Sequence, residues 1–178
     1  VDLKGKYIMP GLINLHVHLP ASGKPKKKES DNVKLVKLIT SNGFFRKIGI
    51  KMCEGFARTQ LMSGVTTIRT VGGVADFDTI VRDRINAGKL EGPRILAANM
   101  AISVEGGHMA HSLAYAAETP EEAARYVRKI AEDNPDLIKL MITGGVLDAK
   151  VKGEPGELKM TPEMVKAACE EAHKLGFK

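Results

Sequence analysis

The sequence predicts an α/β fold with a parallel sheet, because strand-like and helix-like segments alternate four times along the chain. Each strand-like segment is a nearly continuous apolar run, which is typical of a parallel strand covered on both faces. The glycine-rich segments match neither a dinucleotide-binding fingerprint nor a P-loop. An open doubly wound sheet and half of a (β/α)8 barrel both fit the alternation, and polar residues on the first and fourth strands favour the half-barrel.

The boundaries of these segments can be read from the sequence. Strands are predicted at about residues 11–19, 65–71, 94–102 and 136–143. Helices are predicted over about residues 48–63 and 76–87, each followed directly by a glycine that can end it. Two more helices are predicted to begin after Thr119 and Thr161, because each threonine can cap a helix whose first residue is proline.

The composition excludes several classes of partner. The 178 residues are 43% hydrophobic and 27% charged, which is ordinary for a globular protein. No apolar run approaches the roughly 20 residues of a membrane span, so we expect no membrane partner. Cys53 and Cys169 fit neither a disulfide framework nor a C-x-x-C site, which suits the cytoplasm. Much of the net charge of +6 lies in the lysine-rich residues 23–29, which have no aromatic neighbours for base stacking; we expect a solvated loop and no nucleic-acid partner.

The first and fourth strands carry polar side chains that would share the inside of a barrel. In the segment "GLINLHVHLP", alternation places Asn14, His16 and His18 on one face, where the two imidazoles can reach the same cation. In the fourth strand, Lys139 shares a face with Met141, and a lysine inside an apolar strand is costly unless its amine has a partner. Both observations are explained if these faces of the first and fourth strands line the inside of one barrel, near the C-terminal ends of its strands.

These segments together resemble the amidohydrolase superfamily. The run "GKYIMPGLINLHVHL" is similar to its opening, and "GVTTIRTVGG", "GPRILAANMAISVEGGH" and "IKLMITGGV" are similar to the second, third and fourth strands of its imidazolonepropionase-like and Xaa-Pro dipeptidase-like branch. The resemblance implies a TIM barrel that holds one or two divalent metal ions. It also implies that residues 1–9 are the end of a small β-domain and that residues 10–178 are a partial barrel.

The resemblance assigns roles to three residues of this chain. His16 and His18 match the metal ligands of the first strand. Lys139 matches a catalytic lysine that carbon dioxide converts to a carbamate, whose oxygens bridge two cations; the alternative is an amine that reaches the barrel mouth or pairs with a carboxylate. Zinc is the default metal for imidazole and oxygen ligands. The implied reaction is hydrolysis of an amide, peptide or cyclic amide bond in a small molecule or dipeptide by a metal-activated hydroxide.

The sequence also departs from the family pattern. Asn14 stands where aspartate is usual, and Met109 stands where the family has a further glycine after His108. His108 follows the third strand at the predicted mouth, so we expect either contact with substrate or a brace within its loop.

The sequence gives less support for three other polar side chains as site residues. His111 is a poorer candidate than His108, His173 is expected to face solvent on the last helix, and the direction of Arg69, which could hold a substrate carboxylate, is left open by the sequence.

The family's remaining ligands and its catalytic aspartate lie on strands beyond the fourth. Because a TIM barrel typically has about 250 residues, and the chain begins without methionine and ends after a helix, we expect a piece of a longer enzyme that is inactive alone. The open strand edges predict association with itself or with the missing half-barrel. The alternative is a non-catalytic half-barrel subunit or structural module.

Overall fold

The computed structural model describes residues 2–23, 31–145 and 156–177. Within these ranges the chain forms five strands and five helices. In chain order they are β1 Leu12–Val17, α1 Asn32–Thr40, α2 Gly43–Met62, β2 Val65–Thr70, α3 Phe77–Asn86, β3 Arg94–Leu96, β4 Ala101–Val104, β5 Ala114–Ala117, α4 Pro120–Ala131 and α5 Pro162–Lys174.

The named strands pair in parallel within two small sheets. One sheet has the order β1-β2-β3, and the other joins β4 to β5. The register between β1 and β2 shifts twice, between Leu12 and Ile13 and between Asn14 and Val17. Leu140 adds a parallel bridge to Ile102 of β4. The predicted α/β fold with parallel strands is therefore confirmed.

Side-chain caps explain where three of the helices begin. The hydroxyl oxygen of Thr119 accepts the N–H of Glu122 at 3.2 Å, and that of Thr161 accepts the N–H of Met164 at 3.3 Å, as predicted. Helix α2 begins at Gly43, five residues before its predicted start, because the Asn42 side chain caps two backbone N–H groups there.

Two apolar clusters lie between the strands and the helices. The first joins β1–β3 to the helices α2 and α3 through side chains such as Ile68, Phe77 and Ile95. The second joins β4, β5 and the segment around residue 140 to the helices α4 and α5. Ile138, Leu140 and Ile142 all pack against this second cluster, which confirms their predicted common face.

The structure corrects the third and fourth predicted strands. The predicted strand 94–102 is divided into β3 and β4, because Asn99 adopts a left-handed backbone with φ of 58° between them. The predicted strand 136–143 forms only isolated bridges, at Leu140 and Thr143. Helix α1 and strand β5 were not predicted.

Some predictions are not decided by the described residues. Most of the lysine-rich segment 23–29 lies outside them, as do residues 146–155. Residues 2–10 contain a turn and no strand, and their assignment to a small β-domain stays a prediction. None of the helices in the described ranges has both the length and the apolar character that crossing a membrane requires.

Candidate functional site

Strand β1 brings the two histidines of the H-x-H pattern together. The ring centroids of His16 and His18 are 5.3 Å apart, and the ring planes meet at 72°. His18 is half-buried and His16 is exposed at the end of the strand. The two imidazoles therefore lie on the same side of β1, close enough to bind one cation between them.

The His18 ring is held by the turn that follows β2. Its Nδ1 lies 2.9 Å from the backbone oxygen of Gly72. Because a carbonyl oxygen can only accept a hydrogen bond, Nδ1 must carry the proton, and the Nε2 lone pair is left for a ligand. A Cβ at residue 72 would lie 3.3 Å from Nδ1 and 2.9 Å from the Met141 methyl carbon, and the residue has φ of +137°. Glycine thus permits this close approach.

The surroundings of His16 favour its neutral ring. Partial burial lowers its pKa, and the nearby positive charges of His18, Lys139, Arg69 and His108 lower it further. The neutral imidazole is the form that binds a metal ion. These four side chains therefore lie within electrostatic reach of His16.

Lys139 is presented by the segment that adjoins β4. The N–H of Ile102 donates to the Lys139 backbone oxygen at 2.9 Å, which fixes the backbone beside the second sheet. Partial burial lowers the pKa of the Lys139 amine, and the charge of Arg69 lowers it further. A lowered pKa increases the fraction of neutral amine, which is the nucleophilic form of lysine.

Arg69 lies across the end of β1. Its Nε donates to the backbone oxygen of Leu15 at 2.9 Å, and its charge is close enough to His16 to lower the pKa of that ring. The direction that the sequence left open is therefore toward the histidine pair. The cluster formed by His16, His18, Arg69 and Lys139 is basic throughout. Within residues 2–23, 31–145 and 156–177, no group of three or more His, Cys, Asp or Glu side chains could hold a metal ion.

Asn14, which departs from the family pattern, and His108 both lie close to this cluster. The Asn14 side-chain oxygen accepts the backbone N–H of His16 at 3.2 Å, so it supports the strand that carries the histidines. His108 is half-buried and close enough to lower the pKa of His16. Contact of His108 with a substrate stays a prediction.

The remaining histidines serve other purposes. His111 Nε2 lies 2.7 Å from a carboxylate oxygen of Glu105, and this pair closes the loop between β4 and β5. His173 is exposed on α5, as the sequence predicts.

A buried carboxylate beneath the site was missed in the sequence. Asp78 is completely buried in the first turn of α3. A signal was available, because helical spacing places Asp78 on the same stripe as Val81 and Ile85, which are both apolar.

Comparison with known proteins gives the context of this site. A family model described as "Amidohydrolase family" matches residues 7–178. The chain belongs to the amidohydrolase family. Members of this family generally use divalent metal ions. Among curated proteins, none is similar enough to count as a relative of this amidohydrolase chain.

Solved structures agree with the family. A candidate prolidase from Bifidobacterium longum is 36% identical, with 95% of this chain and 34% of that chain covered and a TM-score of 0.67. A Xaa-Pro dipeptidase with bound methionine in its active site is 30% identical, with 94% and 41% covered and a TM-score of 0.70. Another amidohydrolase is 26% identical, with 99% and 44% covered and a TM-score of 0.77.

The chain therefore spans 34–44% of the length of these three structures. This coverage and the parallel strands confirm the prediction that this amidohydrolase chain forms the first half of a TIM barrel.

Proposed function

We propose that the protein containing this chain is a metal-dependent hydrolase of an amide, peptide or cyclic amide bond. His16 and His18 are its metal ligands, and Lys139, as a carbamate, is a further ligand and a catalytic residue. The observation that carries the proposal is the pair of imidazoles 5.3 Å apart on β1, with Lys139 within electrostatic reach. Membership of the amidohydrolase family supports the same reaction class.

The described donors fit one part of a divalent metal site. Two imidazole nitrogens suit Zn²⁺, which also accepts carboxylate-type oxygen. A carbamate on Lys139 would replace a positive charge by a negative one in a cluster that is otherwise basic. When bound, a divalent ion would lower the pKa of water and polarise the scissile carbonyl.

The side chains around the histidines can orient a substrate. Arg69 presents a guanidinium beside His16, where it can bind a carboxylate such as the C-terminus of a dipeptide. His108 approaches the same place from the loop after β4 and can contact the substrate. The names of two similar structures, a prolidase and a Xaa-Pro dipeptidase, favour a dipeptide over a cyclic amide.

The proposal is tested on the full-length protein with Xaa-Pro dipeptides. Chelation should abolish hydrolysis, and Zn²⁺, Co²⁺ or Mn²⁺ should restore it. We expect His16→Ala to lower kcat/KM at least 100-fold, while His173→Ala, which removes an exposed imidazole, should leave it unchanged. Lys139→Ala should be inactive and partly rescued by a short carboxylic acid. Hydrolysis that is indifferent to chelation and to His16→Ala would contradict the metal role.

We also propose that the 178-residue chain alone is inactive and associates with another half-barrel. Leu12, Ile13 and Leu15 of β1 are 52%, 64% and 52% exposed, which is unusual for a barrel strand. A second copy or the missing half of the same protein would cover them. Sedimentation of the isolated chain tests association; a monomer with bound Zn²⁺ and turnover would overturn it. If the chain associates but the full-length protein shows no hydrolysis, the alternative of a non-catalytic half-barrel subunit or structural module is favoured.

A further inference from the structure

Asp78 lies beneath the candidate site without adequate compensation for its burial. Among the described residues, neither carboxylate oxygen has a hydrogen-bond partner of good geometry. Burial raises the pKa of Asp78 to about 6, although the Thr70 hydroxyl and the Asn99 backbone N–H lie close enough to lower it in part. A buried and poorly compensated charge destabilises a fold. Its presence beside a candidate site therefore suggests a functional reason.

The carboxylate packs against the turn that holds His18. A Cβ built on Gly73 would lie 2.5 Å and 2.6 Å from the two oxygens of Asp78, so only glycine lets the turn come this close. The same carboxylate faces the backbone N–H of Asn99. Asp78 thus contacts both the turn after β2 and the connection between β3 and β4.

Asn99 is fixed by the residue next to Asp78. The Thr79 backbone N–H donates to Asn99 Oδ1 at 3.1 Å, and Asn99 Nδ2 donates to the Thr79 hydroxyl at 3.2 Å. These bonds are buried and hold Asn99 in its left-handed conformation, with φ of 58°. The first turn of α3 therefore determines the direction of the Asn99 carbonyl.

A single peptide group links Asn99 to His18. The Gly73 N–H donates to the Asn99 backbone oxygen at 2.7 Å, and the Gly72 carbonyl accepts from His18 Nδ1 at 2.9 Å. This N–H and this C=O belong to the same peptide. Hydrogen bonds on both sides of one peptide polarise and strengthen each other.

We propose that Asp78 and Asn99 are positioning residues that hold the Gly72–Gly73 peptide, so that His18 keeps its proton on Nδ1 and presents Nε2 to a divalent cation. This inference rests on the proposed metal role of His18 and adds the residues that orient it. Loss of a group that orients a metal-binding histidine typically weakens metal affinity 10–100-fold.

The test uses the full-length protein and has a readout that needs neither metal nor activity. In the metal-free protein, ¹⁵N NMR of the His18 ring reports which nitrogen carries the proton. Zn²⁺ affinity is then measured by calorimetry. Asp78→Asn keeps the shape and removes the charge, and Asn99→Gly keeps the left-handed backbone and removes both bonds to Thr79. Val81→Ala is the control, because it removes buried methyl groups from the same helix.

We expect both network variants to show mixed His18 tautomers and 10–100-fold weaker Zn²⁺ binding. The control should melt at a lower temperature and keep the wild-type tautomer and affinity. If both network variants keep the Nδ1–H tautomer and the wild-type affinity, the positioning role is wrong and the proposed function stands. If wild-type protein does not bind Zn²⁺ but the tautomer shifts in the variants, the metal role is wrong and the positioning of His18 stands. If Asp78→Asn does not fold, Asn99→Gly decides.

Discussion

Neutralising Asp78 should change how the stability of the protein depends on pH. In the folded protein the pKa of this carboxyl is about 6, whereas its ordinary value is 3.8. A difference of about 2 pKa units corresponds to about 3 kcal/mol, since each unit is worth about 1.4 kcal/mol. Thr70 and Asn99 offset the burial of Asp78 only in part, because they donate hydrogen bonds and carry no charge. The Cys53 thiol brings no positive charge either, and burial with the Asp78 and Glu54 charges raises its pKa to about 12.

The direction in which stability changes with pH follows from which state, folded or unfolded, binds the Asp78 proton more tightly. Below about pH 4 the carboxyl is protonated in both the folded and the unfolded chain, so it does not destabilise the fold. Between about pH 4 and pH 6 the unfolded chain releases the proton first, and the free energy of unfolding falls as pH rises. Asp78→Asn removes this loss. We therefore expect the variant to gain up to about 3 kcal/mol on the wild type between pH 4 and pH 7.

Urea unfolding of the purified protein at several pH values measures this difference. Other carboxyl groups titrate over the same range, and they cancel when the variant is subtracted from the wild type. Asp83→Asn, on the exposed side of the same helix, is the matched control and should give a nearly constant difference. If the wild-type and Asp78→Asn curves run parallel from pH 4 to pH 7, the buried charge is compensated and the reasoning is wrong.

Two further predictions concern close packing and ion pairing. Gly73→Ala should destabilise the protein by about 1–3 kcal/mol, because the new methyl group would meet the Asp78 carboxylate; the double variant with Asp78→Ala should recover part of this loss in urea unfolding, and an additive loss would contradict the contact. Arg84→Ala should lower the free energy of unfolding by about 1.5–3 kcal/mol above pH 6, because Arg84 binds the buried Glu54 carboxylate. Lys51→Ala removes the exposed partner of the same carboxylate and should lower it by less than about 1 kcal/mol. Equal losses in urea unfolding would contradict this difference.

Local signals in the sequence predicted much of the fold. The threonine caps at Thr119 and Thr161 act within four residues of chain, so they need no tertiary context. Alternation along a strand likewise placed His16 and His18 together and turned Ile138 and Leu140 toward the helices. These patterns follow from backbone geometry alone.

The missed features depend on distant contacts. The predicted third strand is broken at Asn99, whose left-handed backbone is held by Thr79, twenty residues away. Strand β5 has the sequence "AYAA", and alanine has little preference for strands, so its pairing with β4 is set by the surrounding structure. Asp78 resembles any surface acid on a helix until the turn that covers it is known.

The network around Asp78 joins the carboxyl ends of three consecutive strands. His18 follows β1, the Gly72–Gly73 peptide follows β2, and Asn99 follows β3. In a TIM barrel the active site lies at this end of the strands. The network can therefore orient His18 without any contact from ligands on other strands. The effect of a neutralising substitution on stability then distinguishes a carboxylate that stabilises the fold from one that serves the site. Neutralising a structural carboxylate should lower stability. Asp78→Asn should instead raise stability at neutral pH while it weakens Zn²⁺ binding, which is the trade-off expected where a destabilising buried charge serves a site.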